Sequence, residues 1–579
     1  MVELAVAAGT AEHRHQRSLQ LHHLKTKPSD WIYLCEGKLN AVFAYSSHGI
    51  FRKEYQSCIL RIAKRHFVTA TRSLPECSDN FLVTSAALCT DEKDFDSSEY
   101  SQVVQDINYT ARFLRPTLGE QYVDLPTITC LSAAFVQQLH KITLQQGCIP
   151  ESRLLKEWTS FIRLVEDPTT SLNTDLKPKN FVATLHRNHT LFDYSYLPRQ
   201  LRDRTPCSIC IEIKPKAGYI SRSPLVRGVH RAKFHCHRYG IMQNLMGLGH
   251  LVKGWGEVLP TNVSSYSPLD IFSGDYQRTQ QAIQELFRNP QNNLRLFYNG
   301  ALILSNDKSP SDVDIHGIFN IMRDHNKQDE GLDENPLSMP SGAPLREIFI
   351  QTISSLISRV FLAEPLLLNL LSLQKDFDLI DADGAVEVYK RLVELCGGSF
   401  ELAEKLINFY HLDEGFPFAG AHDFFSVTKP ACPALDALCS ELDVFNNKMK
   451  NGPLCMEILD ESFTKATEKV RLLSSEGCIW LLQQWLLSLC ACDLSLMVCL
   501  ANFRTVTHES ESLHSLTSNL QGFSKAGALV TKSEYMPWTY FSYSLKVADT
   551  DPKPAVKLRT RHQKERLFCL SQQLTVDTK

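Results

Sequence analysis

The chain has 579 residues, 43% hydrophobic and 22% charged, with 61 Lys and Arg set against 64 Asp and Glu. This is the make-up of a soluble globular protein, long enough for two lobes with separate cores. The net charge of −3 excludes a global pull toward nucleic acid or an anionic membrane, so a strongly anionic ligand would need a local cationic pocket.

Residues 1–28 read as a flexible leader, in which His13, His15, His22 and His23 form a solvated tail, although such tracts can bind metal. The run from Leu4 to Ala8 is too short for a signal peptide and no cationic region precedes it. Structure is expected from Asp30. Trp31 to Leu34 reads as a strand, Glu36 to Asn40 as a turn, Ala41 to Tyr45 as a second strand and Cys58 to Ala63 as a third. Residues 73–100, rich in Ser and Asp, read as an insertion. Over 101–165, amphipathic helices fit the spacing of Val103, Val104, Ile107 and Phe113, then of Phe135, Leu139 and Ile142. A polar stretch then leads to a β-like segment from Cys207 to Ile213.

Helix is expected over 269–288, a mobile loop over about 305–342, and helices over about 343–375, 384–396 and 460–489. The β-like runs Leu494 to Leu500 and Tyr540 to Val547 follow. The uncharged stretch from Gly477 to Cys492 is interrupted by Gln483 and Gln484 and reads as a buried helix, not a membrane span. A β-rich segment followed by a larger mixed one predicts a bilobal α+β enzyme, with an N-lobe over 29–192 and a C-lobe over 193–579. The 18 cysteines show no CxxC pair and no zinc-finger spacing, and read as reduced thiols of a cytoplasmic or nuclear protein. A monomer without nucleic-acid or membrane partners is expected.

Several segments carry residues suited to phosphate chemistry. The first turn has Gly37, Lys38, Leu39 and Asn40, and a single glycine there is either an ordinary hairpin or a loop whose N–H groups approach phosphate. Arg61 lies on the third β-like run, where a protein kinase would put its phosphate-pairing lysine. In Ile209 to Lys216, alternation turns Ile209, Ile211 and Ile213 to a core and leaves Glu212, Lys214 and Lys216 on the other side. Two ammonium groups beside a carboxylate suit polyphosphate, and equally suit the solvated edge of a half-buried strand ended by Pro215. Pro290 to Arg295 places Asn292, Asn293 and Arg295 together after a helix, which is also what a helix-ending turn looks like. Asp493 stands in a very apolar context and must be paired or functional. Asp549 to Pro554 follows a strand, and its carboxylates suit Mg²⁺ or plain turn chemistry.

Together these segments resemble the inositol-pentakisphosphate 2-kinase family. Glu212-Ile213-Lys214-Pro215-Lys216-Ala217-Gly218-Tyr219 is close to that family's Glu-Ile-Lys-Pro-Lys-Cys-Gly-Phe signature. In order along the chain come Asp30-Trp31, Glu36-Gly37, Ile59-Leu60-Arg61-Ile62, Asn188-His189-Thr190, Ser267 to Gly274, Pro290 to Phe297, Cys492-Asp493 and Asp549 to Pro554. The resemblance covers roughly residues 30–570 and implies an inositol-phosphate-kinase-like fold with a smaller β-rich N-lobe.

It also implies ATP as co-substrate, Mg²⁺ as cofactor and inositol pentakisphosphate as the phosphate acceptor at its 2-hydroxyl. Gly37 to Asn40 would cover the nucleotide, Arg61 would meet its phosphates, and Asn188, His189 and Thr190 would lie at the adenine hinge. Glu212, Ile213, Lys214, Asn293 and Arg295 would attend to ATP, and Asp549 would hold Mg²⁺. Lys214, Lys216, Asn292, Lys553, Lys557 and Arg561 would hold the substrate, with Asp493 as the base. Cys35 replaces the first glycine of the family's Gly-Glu-Gly turn. Met242 and Met246 stand where members carry a substrate-facing His and Lys, and Lys233, Arg238 and Lys253 are the nearby cations available to compensate. The zinc site of some members, a Cys/His set, is not recognisable. The alternative function is a catalytically weak homologue that binds inositol phosphate as a scaffold or sensor.

Overall fold

The computed structural model describes residues 22–24, 26–36, 40–46, 55, 57–63, 97–145, 180–193, 208–247, 263–306, 308–311, 314–319, 344–408, 429–452, 455–505, 527–533, 536–555 and 557–577. They fall in two units, Met1–Ala111 with Asp124–Asp193, and Arg112–Val123 with Tyr194–Lys579. Helices combine with two sheets, as an α+β chain requires.

In the first unit the strands β1 (His22–His23), β2 (Trp31–Glu36), β3 (Asn40–Tyr45), β4 (Cys58–Ala63), β5 (Thr127–Ser132) and β6 (Asn180–Arg187) form one sheet in the order β1-β5-β6-β4-β3-β2. Strand β3 alternates as its sequence suggests, burying Ala41, Phe43 and Tyr45. Its apolar face joins Trp31, Leu60 and Phe181 in a core closed by Phe135 and Leu139 of α2 (Ala133–Gln145).

Two expectations change here. The leader's last residues are not a free tail, because His22 and His23 pair in parallel with Thr129 and Cys130. Leu24 is buried in the core, and Trp31 Nε1 donates to Thr26 Oγ1 at 2.8 Å. The helical reading of 101–165 holds for α1 (Ser97–Tyr109), which begins inside the expected insertion, and for α2, but β5 lies between them. Ile128 packs with Ile107 and Val182, while Leu131 packs with Phe135, so β5 is buried on both faces and shows no clean period of two. The rest of the insertion lies outside the described residues.

In the second unit β7 (Ser208–Ile213), β8 (Leu294–Tyr298), β9 (Ala301–Leu304), β10 (Ser495–Thr505), β11 (Gly527–Ser533) and β12 (Met536–Ala548) form an antiparallel sheet in the order β11-β12-β10-β7-β8-β9. Strand β7 is therefore an interior strand with every residue buried, not a solvated edge. The helices are α3 (Arg238–Gly247), α4 (Tyr276–Arg288), α5 (Leu345–Ala363), α6 (Leu366–Asp376), α7 (Asp381–Leu395), α8 (Phe400–Ile407), α9 (Pro433–Lys450), α10 (Met456–Arg471), α11 (Ser475–Ala491) and α12 (Lys557–Asp577).

Three expected helices are interrupted, each for a local reason. Asp275 caps α4 by accepting from Arg278 N at 2.8 Å. Pro365 forces Glu364 into extended backbone and separates α5 from α6 by a 71° bend. Ser474 caps α11 through Gly477 N at 3.3 Å, setting it apart from α10. The start of the expected loop at 305–342 is ordered: Ser311 and Asp314 cap each other, and helical residues 314–319 bury Ile315 and Ile318. Residues 320–342 lie outside the described set. Among the described residues no single helix is long and apolar enough to cross a membrane, and the described cysteines are free thiols.

Candidate functional site

The register of the second sheet brings four chain segments to one end of its central strands. Glu212 lies opposite Arg295 across β7–β8 and opposite Met497 across β7–β10, while Ser495 lies opposite Ala548 across β10–β12. The end of β7 (Lys214, Lys216), the start of β8 (Asn293, Arg295), the start of β10 (Asp493, Ser495) and the end of β12 (Asp549) therefore meet.

Asp493 comes just past the C-cap residue Cys492 of α11, and its backbone N–H donates to Cys490 O at 2.9 Å. Its carboxylate is held by Lys553 Nζ at 3.1 Å on Oδ2 and by Lys216 Nζ at 3.8 Å on Oδ1. The side chain remains 42% exposed, so a ligand can reach it. Burial pushes the Asp493 pKa up, but Lys216, Lys553 and Arg561 overcome this and bring it down to about 2. Burial also lowers the Lys216 pKa against the attraction of Asp493, with Lys214 and Arg561 adding repulsion. The cluster has more cationic than anionic groups near Lys216, which is what a polyanion needs.

Beside it, Lys214 Nζ meets Asp549 Oδ2 at 2.5 Å. Ser495 Oγ lies 2.8 Å from Glu212 Oε1 and 3.0 Å from that same Asp549 oxygen. Arg295 Nη1 reaches Glu212 Oε2 at 3.4 Å. Two carboxylates and a hydroxyl at a strand end form an all-oxygen donor set that suits a hard divalent cation such as Mg²⁺. Lys216 and Asp549 have φ of 62° and 60°, left-handed backbone that is uncommon for side-chain-bearing residues and clusters at functional sites.

The loop after β7 is fixed from behind. Gln374 of α6 accepts from Gly218 N at 2.9 Å and donates to Lys216 O at 2.9 Å and to Ala491 O at 3.1 Å. Gly218 is required, because a Cβ there would stand 2.0 Å from Phe272 Cδ2. Asn293 turns inward: its amide donates to Tyr239 OH at 2.9 Å and its carbonyl accepts from Lys214 N at 2.8 Å. Pro290 to Asn293 is a turn, as expected, and it leads straight into β8.

The remaining expected residues have these surroundings. Asn292 and Lys557 are exposed, and Arg561 bonds Glu565 at 2.7 Å. Arg61 and Asn40 pair in the first unit: with the amide oxygen facing the guanidinium, Asn40 accepts from Nε at 3.0 Å and Nη2 at 2.8 Å. Asn188 caps its own turn, accepting from Thr190 N at 3.1 Å and Thr190 Oγ1 at 2.6 Å, with His189 half-buried between them. Gly37, Lys38 and Leu39 lie outside the described residues, as do Lys253 and the side chain of Met246.

Lys233 and Arg238, the cations expected to compensate for Met242, are both engaged in buried ion pairs. Lys233 is 1% exposed and ion-paired with Asp381 and, at 3.0 Å, with Glu565. Arg238 binds Asp378 at 2.7 Å and Asp381 at 2.8 Å. Ser495 and Gln374 are the site residues that sequence reasoning missed. Ser495 had a weak signal in its place two residues after Asp493, whereas Gln374 had none.

A family model described as inositol-pentakisphosphate 2-kinase matches residues 33–567. The inositol-pentakisphosphate 2-kinase of Arabidopsis thaliana is 27% identical over 277 residues, 48% of this chain and 53% of that protein. The Danio rerio protein of the same name is 29% identical over 257 residues, 44% of this chain and 45% of its own. One from Oryza sativa subsp. indica is 31% identical over 211 residues, 36% of this chain and 40% of its own. The chain thus spans about half the length of the curated relatives it matches.

Proposed function

This chain belongs to the inositol-pentakisphosphate 2-kinase family, and from that premise we propose that it transfers the γ-phosphoryl group of ATP to the 2-hydroxyl of inositol 1,3,4,5,6-pentakisphosphate. The products are inositol hexakisphosphate and ADP. The observation that carries this reading is the Asp493 carboxylate, ionised and accessible between Lys216 and Lys553.

An incoming polyphosphate competes for those ammonium groups. Lys216 and Lys553 transfer to substrate phosphates, and Asp493 is released to accept a hydrogen bond from the acceptor hydroxyl. The hydroxyl oxygen forms a bond to the γ-phosphorus, the bond to the β,γ-bridging oxygen breaks, and the hydroxyl proton passes to Asp493. A carboxylate with a low pKa is a weak base, so its larger contribution is orientation, with proton transfer late in the step. Lys214 and Arg295 offset charge on the nucleotide side. Asp549, with Glu212 and Ser495 beside it, would hold Mg²⁺, which when bound neutralises charge on the β- and γ-phosphates.

The test is turnover of inositol pentakisphosphate with Mg-ATP by the wild type and by Asp493→Asn. The variant is expected to keep its circular dichroism and lose about 10²–10⁴-fold in kcat. Near-normal turnover in Asp493→Asn removes the assigned base. A wild type that binds the ligand without turnover is a scaffold or sensor.

A further inference from the structure

Away from the residues given roles above, His230, Asp383 and His562 bring their ligand atoms within 4.8 Å of one another. They come from three elements: the 3₁₀ turn Gly228–Phe234, the first turn of α7, and α12. His562 Nε2 is 2.9 Å from Asp383 Oδ1, and His230 Nε2 is 3.5 Å from the same oxygen. The two rings lie nearly parallel, at 10°, with centroids 5.1 Å apart. Two imidazole edges thus converge on one carboxylate oxygen.

The charge at this point is met only at a distance, by Lys233, which is ion-paired elsewhere. Asp383 is 3% exposed, yet among the described residues no Lys or Arg side chain pairs with it. Among the described residues its other oxygen accepts only a long bond, 3.4 Å, from the backbone N–H of Arg227. Asp381, two residues earlier, has both Lys233 and Arg238. A buried carboxylate requires a compensating cation. His230 is a poor one, because its Nδ1 is buried without a hydrogen-bond partner, and an imidazolium would leave an N–H bare there.

We propose that His230, Asp383 and His562 bind a first-row divalent transition metal, with Zn²⁺ the best fit, that clasps α12 to α7 and to the Gly228–Phe234 turn. Two imidazole nitrogens and one carboxylate form a borderline donor set suited to Zn²⁺, while Mg²⁺ and Ca²⁺ favour oxygen alone. The His562 side chain is 25% exposed, and a water from solvent would complete the tetrahedral set that Zn²⁺ takes. The Arg227 N–H on the second Asp383 oxygen is the kind of outer contact that orients a ligating carboxylate. The clasp matters to the candidate site because His562 follows Arg561, whose charge acts on Asp493.

Full-length protein, stripped with a chelator, is titrated with Zn²⁺ and separately with Co²⁺. The wild type is expected to bind one tight equivalent, show Co²⁺ d–d absorption and melt at a higher temperature with Zn²⁺. His562→Ala is expected to weaken tight binding by at least about tenfold and to lose the Co²⁺ spectrum and the Zn²⁺-dependent rise in Tm. His562→Gln is the second variant, because its amide keeps a hydrogen bond to Asp383 but is a poor ligand. A purely hydrogen-bonded tie tolerates His562→Gln with no change in metal response, whereas a metal clasp does not. No tight binding by the wild type, or a Co²⁺ spectrum unchanged in both variants because leader histidines or cysteines hold the ion, overturns the proposal.

Discussion

Two groups of Lys, Arg, Asp and Glu in the second unit use the same chemistry to opposite ends. Around Lys233 and Arg238 the charges are buried and each meets partners at hydrogen-bond distance: Asp381, Asp378 and Glu565, with Tyr219 and Ser221 supplying further bonds. Around Asp493 the pairs are longer and half-exposed, with Lys216 at 3.8 Å and Lys553 at 3.1 Å. The first group is buried, and its cations are committed to carboxylates of the same fold. The second is loosely held, so an anionic ligand can exchange with it. Accessibility and spare coordination, and not the count of charges, separate a structural network from a binding site.

The sharpest way to break that comparison is to remove one partner from each group. Asp381→Asn leaves Lys233 and Arg238 under-compensated in the interior and is expected to cost about 3–5 kcal/mol, read as a lower urea midpoint with an unchanged slope. Acid attacks the same network. Burial pushes the Glu565 pKa up, but Lys233, Arg238 and Arg561 hold it at about 2 against an ordinary 4.5. Between those values the unfolded chain binds the extra proton, so stability rises with pH there. The contribution, on the order of 3 kcal/mol, is complete above about pH 4.5 and lost as pH falls toward 2. Glu565→Gln should flatten that part of the stability–pH curve, and an unchanged slope would place the acid sensitivity elsewhere. The smallest stability effect is expected for Lys216→Met, within about 1 kcal/mol of wild type because the pair is partly exposed. Its expected cost is in KM for inositol pentakisphosphate, and a Lys216→Met variant as unstable as Asp381→Asn would erase the distinction between the groups.

The candidate site was partly legible in the sequence and the buried network was not, for a physical reason. The segment around Glu212 pairs alternating isoleucines with cations and ends in Pro215, and Asp493 interrupts an apolar run, so local pattern exposes both. Lys233 and Glu565 are 332 residues apart, and each looks like a solvated charge in its own neighbourhood. Strand β5 escaped because burial on both faces erases alternation, and His22 and His23 escaped because their strand is two residues long and defined by its partner. The bends at Pro365 and Ser474 carried recognisable signals in proline and in a capping serine, but continuous apolar periodicity on either side hid them.

Gln374 has a consequence for how the site meets its ligand. One side-chain amide ties the carbonyl of Lys216 to that of Ala491, two residues before Asp493, and is itself wholly buried. The cation and the carboxylate are therefore carried on two backbone segments stitched to a common point, so their separation does not depend on their attraction for each other. When an anion draws Lys216 away, the carboxylate is not set adrift. The reorganisation free energy of binding is kept low by a neutral residue that touches neither charge, and the aim of the site is retained through the exchange of partners.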